Sequence, residues 1–211
     1  AAASTGPAPK NAPEFYTADV PTYDFSVDKA NALLDEAGYK RGDDGVRFQL
    51  KLLPAPYFNE TRQFGDYLRQ ALAEIGIDAE LVNADSAAHQ KAVYTDHDFD
   101  LAVAPPVFRG DPAISTTILV QSGIPAGTPF SNQGGYADAE LDGIIAKAAE
   151  TIDTAERTEL YRQFQKKVAA DLPLINVAEW GFVTVARDSV LGVASNPRWA
   201  VSNWADTALQ G

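Results

Sequence analysis

Cysteine is absent from the 211 residues, which excludes disulfides, thiolate metal sites and a cysteine nucleophile. The absence leaves the compartment open, because a large core needs no covalent staples in either redox environment. Methionine is absent too. A chain without even an initiating methionine is expected to be a processed product or a piece of something longer. No charged and apolar leader stands at residues 1–5, so any signal peptide is expected to be gone. Basic residues are few: 17 Lys+Arg stand against 29 Asp+Glu, a formal net charge of −12. That balance argues against a nucleic acid as partner, since phosphate binding needs a basic face. It argues equally against docking on anionic lipid. No apolar run approaches the roughly 18 residues a helix needs to cross a bilayer.

What is present is ordinary globular material, 45% hydrophobic and 22% charged. The length suits one large domain or two small ones. Residues 1–22 hold Pro7, Pro9, Pro13 and Pro21 and read as an extended, unpacked lead-in carrying Phe15 and Tyr16. Ser26 is placed to cap a helix with apolar positions Val27, Ala30, Leu33, Leu34 and Ala37, stopped by Gly38. Val46, Phe48, Leu50 and Leu52 alternate as a strand ending at Pro54. From Asn59 the positions Phe64, Tyr67, Leu68, Ala71, Leu72 and Ile75 recur at helical spacing until Gly76. Ile77, Ala79 and Leu81 predict a second strand, Asp85 caps a helix to about Tyr94, and residues 99–104 predict a buried third strand.

Two long loops follow, residues 105–112 and 121–136, separated by a short helix over 114–120. Asp138 then caps a helix through Leu141, Ile144, Ile145 and Ala148, and Asp153 with Glu156 starts another through Leu160, Phe164 and Val168. Residues 174–177 and 182–185 read as two further strands before a tail with Trp199 and Trp204. The order strand–helix–strand–helix–strand predicts an α/β fold around a mostly parallel sheet. Ligands of such sheets bind beyond the carboxyl ends of the strands, so the loop after the third strand is where chemistry is expected.

Local catalytic signatures are missing. His89 and His97 lie eight residues apart, without a third nearby zinc ligand, and read as surface or capping histidines. Asp96, Asp98 and Asp100 fail the calcium-loop pattern because its sixth position is Leu101. Gly123, Gly127, Gly134 and Gly135 are wrongly spaced to cradle phosphate, and no nucleophile elbow occurs. Neither enzyme activity nor a cofactor is expected. The suggestive loop is Phe108-Arg109-Gly110-Asp111-Pro112, where a guanidinium at the ligand edge can take a carboxylate or phosphate bidentately. A surface pair between Arg109 and Asp111 is the plainer alternative. Asn132 and Gln133 can offer amide contacts, although an Asn ahead of Gly-Gly also suits turn-making.

Several ordered motifs carry a resemblance. Tyr23-Asp24-Phe25-Ser26-Val27-Asp28-Lys29-Ala30 with Leu33-Leu34-Asp35-Glu36-Ala37-Gly38-Tyr39 resembles a segment of bacterial solute-binding proteins of the peptide/nickel type, family 5. Ile75-Gly76-Ile77, Phe99-Asp100-Leu101, Gly110-Asp111-Pro112, Asn132, Gly135-Tyr136, Leu141-Asp142, Arg157, Leu160-Tyr161 and Asp171-Leu172-Pro173 follow in the same order. The resemblance covers about residues 20–190 and implies a lobe of type II periplasmic-binding-protein fold, with a five-stranded mixed sheet and helices on both faces. It implies three parts: residues 1–22 leading in from a hinge, 23–190 as the ligand-binding lobe, and 191–211 as a tail returning to an absent first lobe.

The implied function is capture of a small solute outside the cytoplasmic membrane, periplasmic or at the cell surface. An ABC importer's membrane permease would receive it from a protein that is monomeric at full length. The alternative is a stand-alone interaction module using the tail aromatics. In peptide-binding members an Asp three residues before the Asp-Pro pair takes the peptide ammonium, and here that position is Phe108. An aromatic ring beside Arg109 instead favours a solute with an apolar or sugar face and an anionic group. The expected ligand contacts are therefore Phe108, Arg109, Asp111, Asn132 and Gln133, with no metal.

Overall fold

In chain order the elements are β1 (Ala2–Ala3), α1 (Val27–Glu36), β2 (Phe48–Pro54), α2 (Asn59–Glu74), β3 (Ile77–Leu81), α3 (Ser86–Gln90) and β4 (Leu101–Val103). They continue as α4 (Ala139–Glu150), α5 (Thr154–Asp171), β5 (Ala178–Glu179), β6 (Val190–Leu191) and β7 (Ala208–Leu209). The computed structural model describes residues 2–181, 183–193 and 204–210. No helix among them is long and apolar enough to cross a membrane.

Four helices begin at the expected capping oxygens. Ser26, Asp85, Asp138 and Asp153 accept from the amides of Lys29, Ala88, Leu141 and Glu156, satisfying donors that the first helical turn leaves unpaired. α2 differs, since Asn59 is its first helical residue and Phe58 gives no side-chain cap. Its first turn is tied down by Thr61, whose hydroxyl donates towards the carbonyls of Ala55 at 2.6 Å and Phe58 at 2.7 Å. The helix expected to reach Tyr94 ends at Gln90 and continues as a π-helical turn, Lys91–Asp96, closed by His97 in the left-handed region. Two 3₁₀ turns, Pro112–Ile114 and Thr117–Leu119, replace the short helix expected over 114–120.

The parallel sheet has the order β3-β2-β4, with Phe48 opposite Ile77 and Leu52 opposite both Leu81 and Leu101. The α/β class stands, but the sheet has three strands among the described residues, not five. Two separate antiparallel ladders account for the other strands, β1 with β5 and β6 with β7. Residues 174–177 form no strand, although the Val177 carbonyl accepts from the Ser4 amide at 3.2 Å just ahead of β5. Residues 183–185 carry no ladder, and Phe182 lies outside the described residues. Apolar alternation marks a backbone fit to pair, but a ladder also needs a partner edge.

The chain divides into two compact units. One comprises Thr22–Pro106 and Leu119–Ala137 and holds the parallel sheet. Leu52, Leu53, Ile77, Ala79, Val93 and Tyr94 are its buried apolar residues on these strands and the π turn. Gly65 of α2 lets the helix lie close on the sheet, because a Cβ there would stand 3.2 Å from the side chains of Pro54 and Leu81. Arg47, with a side chain only 2% exposed, donates to the carbonyl of Ile75 at 2.8 Å and to Asn31 Oδ1 at 2.9 Å. It also binds the Tyr39 carbonyl and Asp35. A planar, always charged fork satisfies several acceptors at once, including the carbonyl end of α2.

The other unit comprises Ala1–Pro21, Val107–Ile118 and Asp138–Gly211. Leu141, Ile145 and Ala148 of α4 and Leu160, Tyr161, Phe164 and Val168 of α5 are buried here. The proline-rich start is not the unpacked lead-in that its composition suggests. Ala8, Ala12 and Phe15 are buried in one cluster with Ala148, Leu160 and Tyr161. Proline restrains the backbone without preventing the small residues between from packing. Gln165 completes this seam by donating to the Phe15 carbonyl. In the tail, Trp204 is partly exposed, whereas Trp199 lies outside the described residues.

Candidate functional site

The strand order places a crevice. β2 is central, its outgoing connection leads to β3 on one side, and β4 lies on the other. Connections that diverge in this way leave an open edge beyond the carboxyl ends of β2 and β4. Ala55-Pro56-Tyr57-Phe58 follows β2 and Ala104-Pro105-Pro106 follows β4. The Ala55 amide still donates to the Val103 carbonyl at 2.8 Å, so the two strand ends are held together up to this edge. Pro54, Pro56, Pro105 and Pro106 fix φ and offer no N–H, which stiffens the rim.

Aromatic side chains converge there. The ring of Tyr57 lies 5.9 Å from that of His89, nearly edge-on at 79°, and 5.9 Å from that of Phe130. Phe130 lies in turn 6.1 Å from Tyr94. Gln90 donates to the Tyr57 hydroxyl at 3.2 Å and steadies it. His89 is 2% exposed, and neither ring nitrogen has a hydrogen-bond partner among the described residues. Burial pushes its pKa below the ordinary histidine value and keeps the ring neutral. Burial likewise pushes the Tyr94 phenol upward, partly offset by the Phe130 backbone. The expectation that both histidines lie at the surface or cap a helix fails for His89, because the loop bearing Tyr57 covers a helix face that its own sequence leaves neutral. His97 is exposed and closes the π turn, and its Nδ1 bonds the Gln133 carbonyl at 3.0 Å. A cleft of about 160 Å³ lies between the π turn and the glycine-rich loop, lined by Tyr94, His97, Ile124, Ser131, Asn132 and Tyr136 among others.

The five residues expected as ligand contacts fall in different units: Phe108, Arg109 and Asp111 in one, Asn132 and Gln133 in the other. Phe108 is half-buried and packs on the cluster of Phe15, Ala148 and Tyr161. Asp111 does not pair with Arg109. Its Oδ1 accepts from Arg157 at 2.8 Å and from the Ala113 amide at 2.9 Å. Arg157 also lies over the rings of Tyr161 and Phe15, at 4.7 and 5.8 Å. Arg109 is exposed and makes no ion pair or hydrogen bond among the described residues. Asn132 spends its amide inside its own loop, donating to the carbonyls of Gln121 at 3.0 Å and Tyr136 at 2.6 Å and accepting from the Tyr136 amide at 3.1 Å. Gln133 contributes the carbonyl that His97 binds. Tyr57, His89, Gln90 and Phe130 were not legible as a group. The one signal was the position of Tyr57, between prolines and just past a strand.

A family model for bacterial extracellular solute-binding proteins, family 5 (middle), matches residues 1–123. The dipeptide-binding protein of Escherichia coli is 25% identical over 184 residues, which cover 86% of this chain and 34% of that one. A glutathione-binding protein of Pectobacterium atrosepticum is 25% identical over 186 residues, covering 84% of this chain and 34% of that one. The chain thus spans about a third of the length of these relatives. The structure of a periplasmic binding protein of Helicobacter pylori in complex with the peptide STSA superposes with a TM-score of 0.74 at 20% identity, over 100% of this chain and 39% of that one. Likeness at that identity speaks to the fold, whereas the family match rests on sequence over more than half of the chain. The chain belongs to the bacterial extracellular solute-binding proteins of family 5.

Proposed function

We propose that this chain is the solute-facing part of the binding component of an ABC importer, working in the periplasm or at the cell surface. It captures a small peptide-like solute, or another small compound with an anionic group, and passes it unchanged to a membrane permease. The observation that carries this reading is the open edge beyond β2 and β4, rimmed by prolines and bearing Tyr57, in a chain of this family. The His89 ring beside that edge is buried, which favours its neutral form, and its nitrogens have no partner among the described residues.

Capture works by differential affinity. A solute that makes its full set of contacts only when enclosed shifts the protein towards its closed state. Arg109 is proposed as the anion contact, because its guanidinium is exposed and uncommitted among the described residues. Asp111 and Phe108 fix the loop that carries it. Native mass spectrometry of the full protein carrying this chain, purified from its own cells, tests the reading. A bound mass matching a di- or tripeptide or glutathione is expected. A protein that carries no solute and gives no heat with dialanine or glutathione by calorimetry overturns it.

A further inference from the structure

We propose that Phe130 and Tyr57 form an aromatic wall that receives a ring-bearing side chain of the solute. The inference rests on the peptide-like reading above and names the chemistry of one part of that solute.

Three observations lead there. Phe130 takes φ +58°, in the left-handed region that side chains with a Cβ rarely adopt, and it does so within a loop that offers glycines nearby. Strain of this kind persists where the surroundings hold it, and it gathers at ligand sites. The strained backbone also does not hide the ring. Phe130 is 57% exposed, whereas the next residue, Ser131, is buried and donates to the Thr128 carbonyl at 2.7 Å. A loop serving only its own packing would bury the phenyl and expose the hydroxyl. Finally, the exposed ring does not stand alone: Tyr57, at the open edge of the sheet, is its neighbour on one side and Tyr94 on the other.

The chemistry of the occupant follows from what surrounds the rings. His89 beside them is buried, and its ring nitrogens have no partner among the described residues. A flat apolar group finds offset or edge-on ring partners there.

The test uses two dipeptides, Ala-Phe and Ala-Ala, titrated calorimetrically into the full protein carrying this chain and into its Phe130→Asn and Phe130→Tyr variants. Asn tolerates the left-handed backbone and removes the ring. The expected result is that Phe130→Asn binds Ala-Phe about tenfold more weakly and Ala-Ala within about twofold of the parent, with an unfolding temperature unchanged or raised. Phe130→Tyr keeps the ring and should keep the preference. A Phe130→Asn protein that is less thermostable and loses both dipeptides alike would show the ring to be packing only, and overturn the wall. Undiminished Ala-Phe binding by that variant overturns it too. If the parent binds neither dipeptide, the peptide reading itself fails and the wall with it.

Discussion

Arg157 donates to Asp111 at 2.8 Å, and the same carboxylate oxygen accepts from the Ala113 amide at 2.9 Å. Two loop-to-helix contacts thus meet on one atom, joining the start of the 3₁₀ turn Pro112–Ile114 to α5. Burial by itself would raise the Asp111 pKa, but the bonds from Arg157 and Ala113 outweigh it and leave the group below its usual range. Asp111→Ala should therefore lower stability by about 1–3 kcal/mol, by loss of a cap and of a charge-assisted bond.

The same pair gives a pH dependence. A carboxyl whose folded pKa is depressed stabilises fully above its unfolded value, near 3.9, and loses that contribution as pH falls through the folded value. Asp111→Asn keeps the cap and should flatten this part of the acid limb in urea melts collected between about pH 5 and 2. An unchanged acid limb would mean that Arg157 contributes nothing through its charge.

His89 should act in the same direction as Asp111, but at higher pH. Its folded pKa is pushed down by burial, so the unfolded chain binds the extra proton. Stability is then complete above the unfolded value, about 6.5, and declines as pH drops below it. Proton NMR should show the His89 imidazole titrating below the ordinary value. A His89→Leu chain should lose the stability slope that sets in below about pH 6.5. A His89 resonance that titrates at or above 6.5 would refute the buried, neutral ring.

Arg47 offers a test of the fold itself. Its nearly inaccessible guanidinium serves the carbonyls of Tyr39 and Ile75 and the side chains of Asn31 and Asp35. Arg47→Lys keeps the charge but cannot reach these acceptors in one plane, and should cost about 2–3 kcal/mol in denaturant unfolding. Little or no loss would show that water replaces the fork without penalty.

Arg109 should behave in the reverse way. Because it is exposed and unpaired among the described residues, Arg109→Ala should leave stability within about 0.5 kcal/mol. A bond from a charged donor contributes about 1.5–3 kcal/mol, so the same change should weaken solute binding roughly 10- to 150-fold in the full protein. Arg109→Lys should restore part of that affinity, since an ammonium cannot bind an anion bidentately. Unaltered affinity would remove Arg109 from the site.

The sequence by itself determined what acts over three or four residues. Ser26, Asp85, Asp138 and Asp153 cap as their side chains and spacing require, because an N-cap oxygen needs only the amides of its own first turn. The period-two runs of β2 and β3 were legible for the same reason, and the parallel order followed from the helices between them. The family was legible because its motifs survive in order along the chain.

Tertiary structure decided whatever depends on a partner far away in sequence. Arg157 reaches Asp111 across 46 positions, so local reading offered Asp111 the nearer Arg109 instead. Phe15 is buried against Tyr161, their rings 5.4 Å apart, although proline-rich sequence suggests an exposed lead-in. Residues 183–185 alternate like a strand yet have no ladder, because propensity fixes a backbone's shape and not the presence of a free edge. His89, Tyr57 and Phe130 come from three separate segments, and only the return of each to the carboxyl edge of one sheet makes them neighbours. Capping and periodicity are short-ranged and written locally; burial, ion pairing and the composition of a binding edge are sums over distant residues, which only the folded chain brings together.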